Sequence, residues 1–459
     1  MRPKRKSSWR ERTGAVLIIS MIFVVVFSAL AVSMATLSGN NVQLASNHQN
    51  LNAALAAAQS GQEVVRYLLS RVLIPSSTPQ SQYFSEIITA VRNDLTTSGI
   101  SGIGVATNGA IAAVTLDSTT GRSFDGQILF DANQPTVMEV RVTGHGGQAS
   151  RTITTSFDIE PYEFPIFKYG LATKGPLNFL GNPTITAANA AWEADVFVES
   201  SGDLIALQVN GNTNFDGGIN IGNAAANVDF AGAVQIAGEF GQTAIDNHVN
   251  IGMDSPEFPS PDTDYFRQYA TGIAIDSSTD TSNNMNLVNA HIEAGANPCF
   301  EGNVKIDGVL FIESPNVVVF DGNAEIKGLI VADGDSGNPG TDSMTFNGNF
   351  QSGPYPPDSQ FDNMRSESGS SMLAPGFALR LAGNFSSLGG VMAVSGFHLS
   401  GNASAVVEGT IVNYSDSATL VEGNATLNFD RAGSVKVPAG FDLYRELNYE
   451  PTSYSETGI

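Results

Sequence analysis

Residues 302–310 read GNVKIDGVL and residues 322–330 read GNAEIKGLI, one pattern repeated at an interval of 20. Each copy opens with Gly-Asn, alternates apolar and polar residues, and has a second glycine six places after the first. Alternation with period two belongs to a strand that turns one face to a core. Gly-Asn suits a tight corner where φ is positive. The interval of six recurs at Gly211-Asn212 with Gly217 and at Gly383-Asn384 with Gly389. Gly401-Asn402 with Gly409 stretches it by two, and Gly181-Asn182 and Gly423-Asn424 are looser copies. Repeats of about 20 residues with short alternating strands are what stacked coils require. The spacing therefore predicts a right-handed parallel β-helix, or β-solenoid, over residues 161–446. A β-sandwich is the alternative, but its hairpin turns give no reason for one recurrent Gly-Asn signature. Allowing for insertions, ten to thirteen coils at ~4.8 Å each make a rod about 50–60 Å long. Residues 253–286, with Pro256, Pro259 and Pro261, and residues 351–372, with Pro354, Pro356 and Pro357, read as long surface excursions.

Outside the repeats the charge is uneven. Residues 1–12 hold six Lys/Arg and one acid, and the remainder carries 16 bases against 44 acids, a net −28. Phosphate binding rests on basic side chains, so nucleic acid is excluded as a partner. Cys299 is the one cysteine, which excludes an intrachain disulfide.

From Gly14 to Ala35 no residue is charged. A helix of that length spans about 33 Å at ~1.5 Å per residue, enough for a hydrocarbon core of about 30 Å. It exceeds the apolar stretch of about 7–15 residues in a cleaved secretory signal, so a retained transmembrane helix is expected over 14–36. The basic leader, residues 1–13, places the N-terminus in the cytoplasm and the rest outside. Helix continues over 37–74, where Leu37, Leu44, Leu51, Leu55, Ala58, Val65 and Leu69 fall on one stripe and Pro75 ends the pattern. No Asp, Glu, Lys or Arg occurs between Arg12 and Glu63. Such a stretch packs against protein, either other copies of the helix or its own ectodomain.

The strings RTGAVLIISMIFVVV (12–26) and SMATLSGNNVQLASNHQNLNAALAAAQSGQEVV (33–65) resemble the PilX-type N-terminal domain of type IV pilus assembly proteins. Ala56, Ala57, Ala58, Ser60 and Gly61 occupy the A-A-A-x-S-G motif of that family. The resemblance covers about residues 10–72. It implies a chain cut by a prepilin peptidase after Gly14, before Ala15. Major pilins carry Glu at the fifth mature position, where this chain has Ile19. That departure implies a minor, tip or assembly-priming component instead of a major fibre subunit.

Residues 75–160 read as a small α+β region. A helix is expected over 82–97, with Phe84, Ile87, Ile88 and Val91 on one face. Strand-like runs follow at 110–117, 126–130 and 137–143. The turn Gly144-His145-Gly146-Gly147 leads back into 152–157 as a hairpin. Residues 447–459 read as a tail without core pattern.

No motif points to catalysis or a cofactor. Gly144-His145-Gly146 matches the "GHG" of a pectin-hydrolysing family but lacks its partner strings, so chance explains it better. The five histidines lie far apart without ligand spacing. Asp333-Gly334-Asp335 is more often a solvated turn than a Ca²⁺ loop, and Cys299 reads as a buried apolar residue.

The fold class is therefore mainly β, with a pilin-like transmembrane helix ahead of a solenoid. The function expected is a non-enzymatic, single-pass protein of the inner membrane, a minor pilin-like or pilus/secretion assembly component. Its partners would be the lipid membrane, other pilin-like subunits through the helix, and a surface glycan. A membrane-anchored adhesin or carbohydrate-binding β-helix is the alternative, and a polysaccharide-degrading enzyme a more distant one.

Overall fold

The computed structural model describes residues 12–130, 133–202, 204–401, 404–434 and 436–458. Most of the expected basic leader, and Asn402, lie outside them. The chain divides into two compact units, residues 1–160 with 444–459, and residues 161–443.

In the first unit, helix α1 (Arg12–Leu69) runs for 58 residues, and helix α2 (Tyr83–Thr97) follows. Strands β1 (Leu73–Pro75), β2 (Ala110–Asp117), β3 (Arg122–Phe130), β4 (Val137–Gly146) and β5 (Ala149–Pro161) share a sheet with a C-terminal strand, Tyr444–Gly458. Its order is β1, C-terminal strand, β5, β4, β3, β2. In β4, Met138, Val140 and Val142 are fully buried, as alternation requires, and they meet Ile87, Ile88 and Val91 of α2 in one core.

Three expectations are corrected here. Helix does not extend to 74: it ends at Leu69, because Leu73–Pro75 pair with Tyr444–Glu446 and bury Ile74. Residues 447–459 are no loose tail: the C-terminal strand runs to Gly458 and buries Leu447 in the core. Gly144–Gly146 form no turn but the end of β4, His145 pairing with Ser150 in β5.

The second unit is built, among the described residues, from sheets of 13, nine and seven strands, parallel except where Glu239–Phe240 pairs antiparallel with Val234–Ile236. The turns over residues 171–236 and 370–429 visit the three sheets in one repeated order, those over 274–353 place strands in the 13- and nine-stranded sheets alone, and each turn is called a rung below. The strand Leu171–Thr173, first in sequence, lies in the middle of the longest sheet. On one side follow Val196–Val198, Ile219–Ile221 and Val249–Ile251. On the other side lies the last, Ile411–Asn413, and then strands in reverse sequence order down to Ala274–Ile275 at the far edge. The chain thus winds from the middle to one end and restarts at the opposite end. It then winds back until its last rung pairs with its first.

Stacked side chains fill the interior. Phe300, Phe320 and Phe346 occupy successive positions of one ladder, with centroids 4.9 and 4.5 Å apart and nearly parallel rings. These distances follow the strand spacing of about 4.7–4.9 Å. Outside the longest sheet runs a second buried row, Phe197, Ala172, Val412, Ala393, Leu373, Val331 and Phe311, in continuous register. A sheet apolar on both faces needs cover on both.

Residues 252–273, which join the two ends, contribute that cover. Phe258 packs on Phe197 and Tyr414, the Pro259 carbonyl accepts from the Tyr414 hydroxyl at 2.5 Å, and Phe266 is fully buried. Arg267 lies 4.4 Å over the Phe311 ring and binds Glu313 and Asp333. Of the expected excursion 253–286, therefore, the first part is a strap on the sheet. Ala274–Ile275 and Met285–Val288 are rung strands.

Tyr414→Phe is expected to cost about 1 kcal/mol at neutral pH, the worth of one hydrogen bond. Burial pushes the Tyr414 phenol above its ordinary value. The stability it contributes is fully present below the unfolded pKa of about 10 and is lost as pH rises through the higher folded value. Thermal melts between about pH 9 and 12 should show the wild type losing stability more steeply than the variant.

Where the first and last rungs meet, polar side chains clasp them. Asn182 donates to Asn424 (3.0 Å), Thr184 to Thr426 (3.0 Å), Thr186 to Asn428 (3.1 Å) and Asn189 to Asp430 (2.9 Å). Inside the core the Asn413 amide donates to Thr173 (3.0 Å) and Thr419 (2.7 Å), all three being fully buried. The bonds of Asn413 satisfy groups that burial would otherwise strand, and the outer ones add to the match of one register.

Candidate functional site

Helix α1 is divided by its surroundings. Side chains from Val16 to Gln49 are exposed, including Leu37 at 62% and Leu44 at 56%. Leu51 and Leu55 are half-buried, and Ala58, Val65 and Leu69 are buried. The expected stripe therefore docks on its own sheet through its C-terminal part and is bare above. Gly14 and Ala15 lie within the helix by backbone. Among the described residues one helix is long and apolar enough to cross a membrane, which fits a single-pass membrane protein.

Glycines on both partners allow the docking. A Cβ on Gly144 would stand 2.1 Å from the Ala54 carbonyl oxygen and 2.2 Å from the Ala58 nitrogen. One on Gly146 would stand 2.6 Å from the Asn50 carbonyl oxygen, and one on Gly61 would meet Phe124 and Val142 at 2.6–2.7 Å. Ala57, Ala58 and Gly61 face the sheet, while Ala56 and Ser60 are exposed. The Gly-His-Gly triplet thus serves helix–sheet contact, and His145 itself binds Asp125 at 2.7 Å.

Among the described residues no group of three His, Cys, Asp or Glu side chains could hold a metal ion. Asp333 receives Arg267 and the Ser314 amide. Cys299 is exposed, not buried, because its strand Cys299–Phe300 ends the nine-stranded sheet and its Sγ turns toward Asp321 at 3.5 Å.

Clefts open among the described residues of the second unit, and two of them carry polar side chains. One, of about 520 Å³, has a glycine-rich lining with Tyr355, Arg365, Glu408 and Asp430. Burial raises the Tyr355 phenol above its ordinary value, while Glu408 and Asp430 follow the paired residues Val407 and Phe429 on adjacent rungs.

The larger, about 780 Å³, is a groove along the Gly-Asn corners. One wall is the row Asn284, Asn303, Asn323, Asn349 and Asn384. Each side-chain oxygen from Asn284 to Asn323 accepts the next asparagine's backbone N–H, at 2.8, 3.3 and 3.0 Å. The Asn384 amide donates to Asn349 at 3.3 Å. The floor comprises Val304, Ala324, Phe350 and Phe385, each at most 3% exposed. Lys305, Glu325 and Gln351, which pair in register, and Ser386 form the other wall. Lys305 binds Asp307 at 3.0 Å, and Glu325 binds Lys327 at 2.9 Å.

The groove was not anticipated from sequence, although its signal is there. Lys305, Glu325, Gln351 and Ser386 each stand two places after the Asn of a Gly-Asn pair. Aligning the repeats column by column, with the further copy Gly348-Asn349, would have grouped them.

Residues 13–63 match the family model described as PilX N-terminal. Among solved structures, the crystal structure of competence-associated pilin ComZ from Thermus thermophilus is similar at 13% identity and a TM-score of 0.23, over 89% of this chain and 98% of that one. At that TM-score the likeness supports neither a fold nor a function. No curated protein matches the chain. Its N-terminal segment, with a bare apolar helix above a docked small-residue face, is thus similar to a PilX-type, type IV pilin-like domain.

Proposed function

We propose that this chain is a minor pilin-like or pilus/secretion assembly component, without enzymatic activity, anchored in the inner membrane with its N-terminus in the cytoplasm. The PilX N-terminal match over residues 13–63 carries this reading. The exposed, uncharged surface of α1 from Val16 to Gln49 supports it, since such a surface suits lipid first and neighbouring pilin-like helices beyond it. The three parallel sheets would form one right-handed β-solenoid, displayed outside the cytoplasm as a structural or binding head. Support comes from the repeated order in which the rungs over 171–236 and 370–429 visit the sheets and from the right-handedness of parallel crossovers.

The intact mass of the membrane-extracted chain, with and without prepilin peptidase, tests the reading. Loss of residues 1–14 only when the peptidase is present, with the chain recovered in sheared fibres, is the expected result. An unshortened mass in both cases and absence from fibres would overturn it. A permanently anchored adhesin would then be favoured, a second reading that the asparagine groove supports.

A further inference from the structure

We infer that the groove along the Gly-Asn corners binds a neutral, N-acetylated glycan chain. Its asparagine wall repeats at the rung spacing of about 4.8 Å, so it sets side-chain amides along one line against a ligand that is itself a repeat. A β-linked sugar chain advances by a similar step. The asparagine oxygens of Asn284, Asn303 and Asn349 are engaged within the row. Among the described residues the Nδ2 groups of these three have no protein acceptor and remain as neutral donors for carbonyl and hydroxyl oxygens, whereas Asn323 and Asn384 donate theirs to Asn303 and Asn349. Gln351 and Ser386, both exposed, supply donors and acceptors from the opposite wall.

Charge narrows the ligand. Lys305 and Glu325 are each paired with a neighbour of opposite sign. The chain beyond residue 12 carries −28, so a polyanionic polysaccharide would be repelled. The apolar floor of Val304, Ala324, Phe350 and Phe385 between two amide-bearing walls fits an N-acetyl group, whose methyl is apolar and whose amide both donates and accepts. An extended peptide is disfavoured, because the strands along the groove at Val304, Ala324 and Phe350 are already paired and offer no free edge between them.

The test is calorimetric titration of the full chain in detergent with chitohexaose, cellohexaose and polygalacturonate, together with a pool of unstructured peptides as competitor. Chitohexaose is expected to bind, cellohexaose at least about tenfold more weakly, and polygalacturonate and peptides not at all. Ser386→Trp should abolish chitohexaose binding by filling the groove. Gln351→Ala should weaken it about threefold to tenfold through loss of one hydrogen-bonding side chain. Both positions are exposed, and a thermal midpoint unchanged in each variant separates lost binding from misfolding. Absence of chitohexaose binding, equal binding of cellohexaose, displacement by peptides, or affinity indifferent to both substitutions would overturn the inference. None of these results bears on processing at Gly14, so the proposed role in pilus assembly stands or falls separately.

Discussion

Gly211→Ala is expected to leave residues 161–443 largely unfolded at 37 °C. Gly211 has φ +138°, and a Cβ there would lie 1.7 Å from the Gly181 carbonyl oxygen. The atoms it would strike, the O, C and Cα of Gly181, are all backbone, so no side chain can rotate away. The neighbours are equally tight: a Cβ on Gly232 would lie 1.8 Å from the Gly211 oxygen, one on Gly383 1.9 Å from the Gly348 oxygen, and one on Gly322 2.1 Å from the Gly302 oxygen. Relief at one corner would therefore shift the rungs stacked above and below it. A cost above about 4 kcal/mol is expected, comparable with the whole stability of many domains. Gly202→Ala is the control, since a Cβ there meets nothing within 4 Å, and it should change stability by less than about 0.5 kcal/mol. Hydrogen exchange over 161–443 and thermal melting would separate the two. A Gly211→Ala protein that melts like the control would show that the corner glycines are dispensable.

The second large effect is expected at Gly144. Alanine there would drive a methyl into the backbone of α1 between Ala54 and Ala58. The helix can answer only by lifting off β4, losing the contacts of Ala54, Ala57 and Ala58. The expected cost is about 3 kcal/mol, with exchange protection lost over residues 50–69 and β4. His145→Ala, by contrast, removes a half-exposed side chain paired with Asp125 and should cost less than about 1 kcal/mol. If His145→Ala proved the more damaging, the triplet would owe its importance to the imidazole and not to its glycines.

Much of this organisation is legible in the residues. Gly-Asn at a regular interval marks the corners because two physical demands coincide there. The glycine admits the preceding rung's carbonyl, and the asparagine caps the next rung's amide. Parallel pairing at a 20-residue offset, Val304 with Ala324 through Ile312 with Ala332, follows from the same repeat. The order of the rungs is not legible. Repeat copies are chemically alike, so nothing in Gly181-Asn182 says that its neighbour is Gly423-Asn424 and not only Gly211-Asn212. Continuous apolar runs such as VLFI at 309–312 and LIVA at 329–332 announce a sheet covered on both faces. They do not reveal that residues 252–273 help cover them. The C-terminal strand was missed for a related reason. Its residues are half-buried or exposed apart from Leu447, so its alternation is faint until β1 and β5 are seen on either side.

The meeting of first and last rungs has a consequence for the time course of folding. Thr184 and Thr426, bonded across that join, are 242 residues apart in the chain. At roughly 5–20 residues per second of synthesis, the second arrives on the order of 10–50 s after the first. Throughout that interval the strand at Leu171–Thr173 has one edge unsatisfied, a template for any other parallel strand. Long-range pairing of this kind is intrinsically slow to form. A nascent chain must therefore keep its opening rung unpaired on that side, or be held unfolded, until the closing rung emerges. The polar residues at the join would then act as a late proofreading step, rejecting every rung but the one that can answer Asn182, Thr184 and Thr186 together.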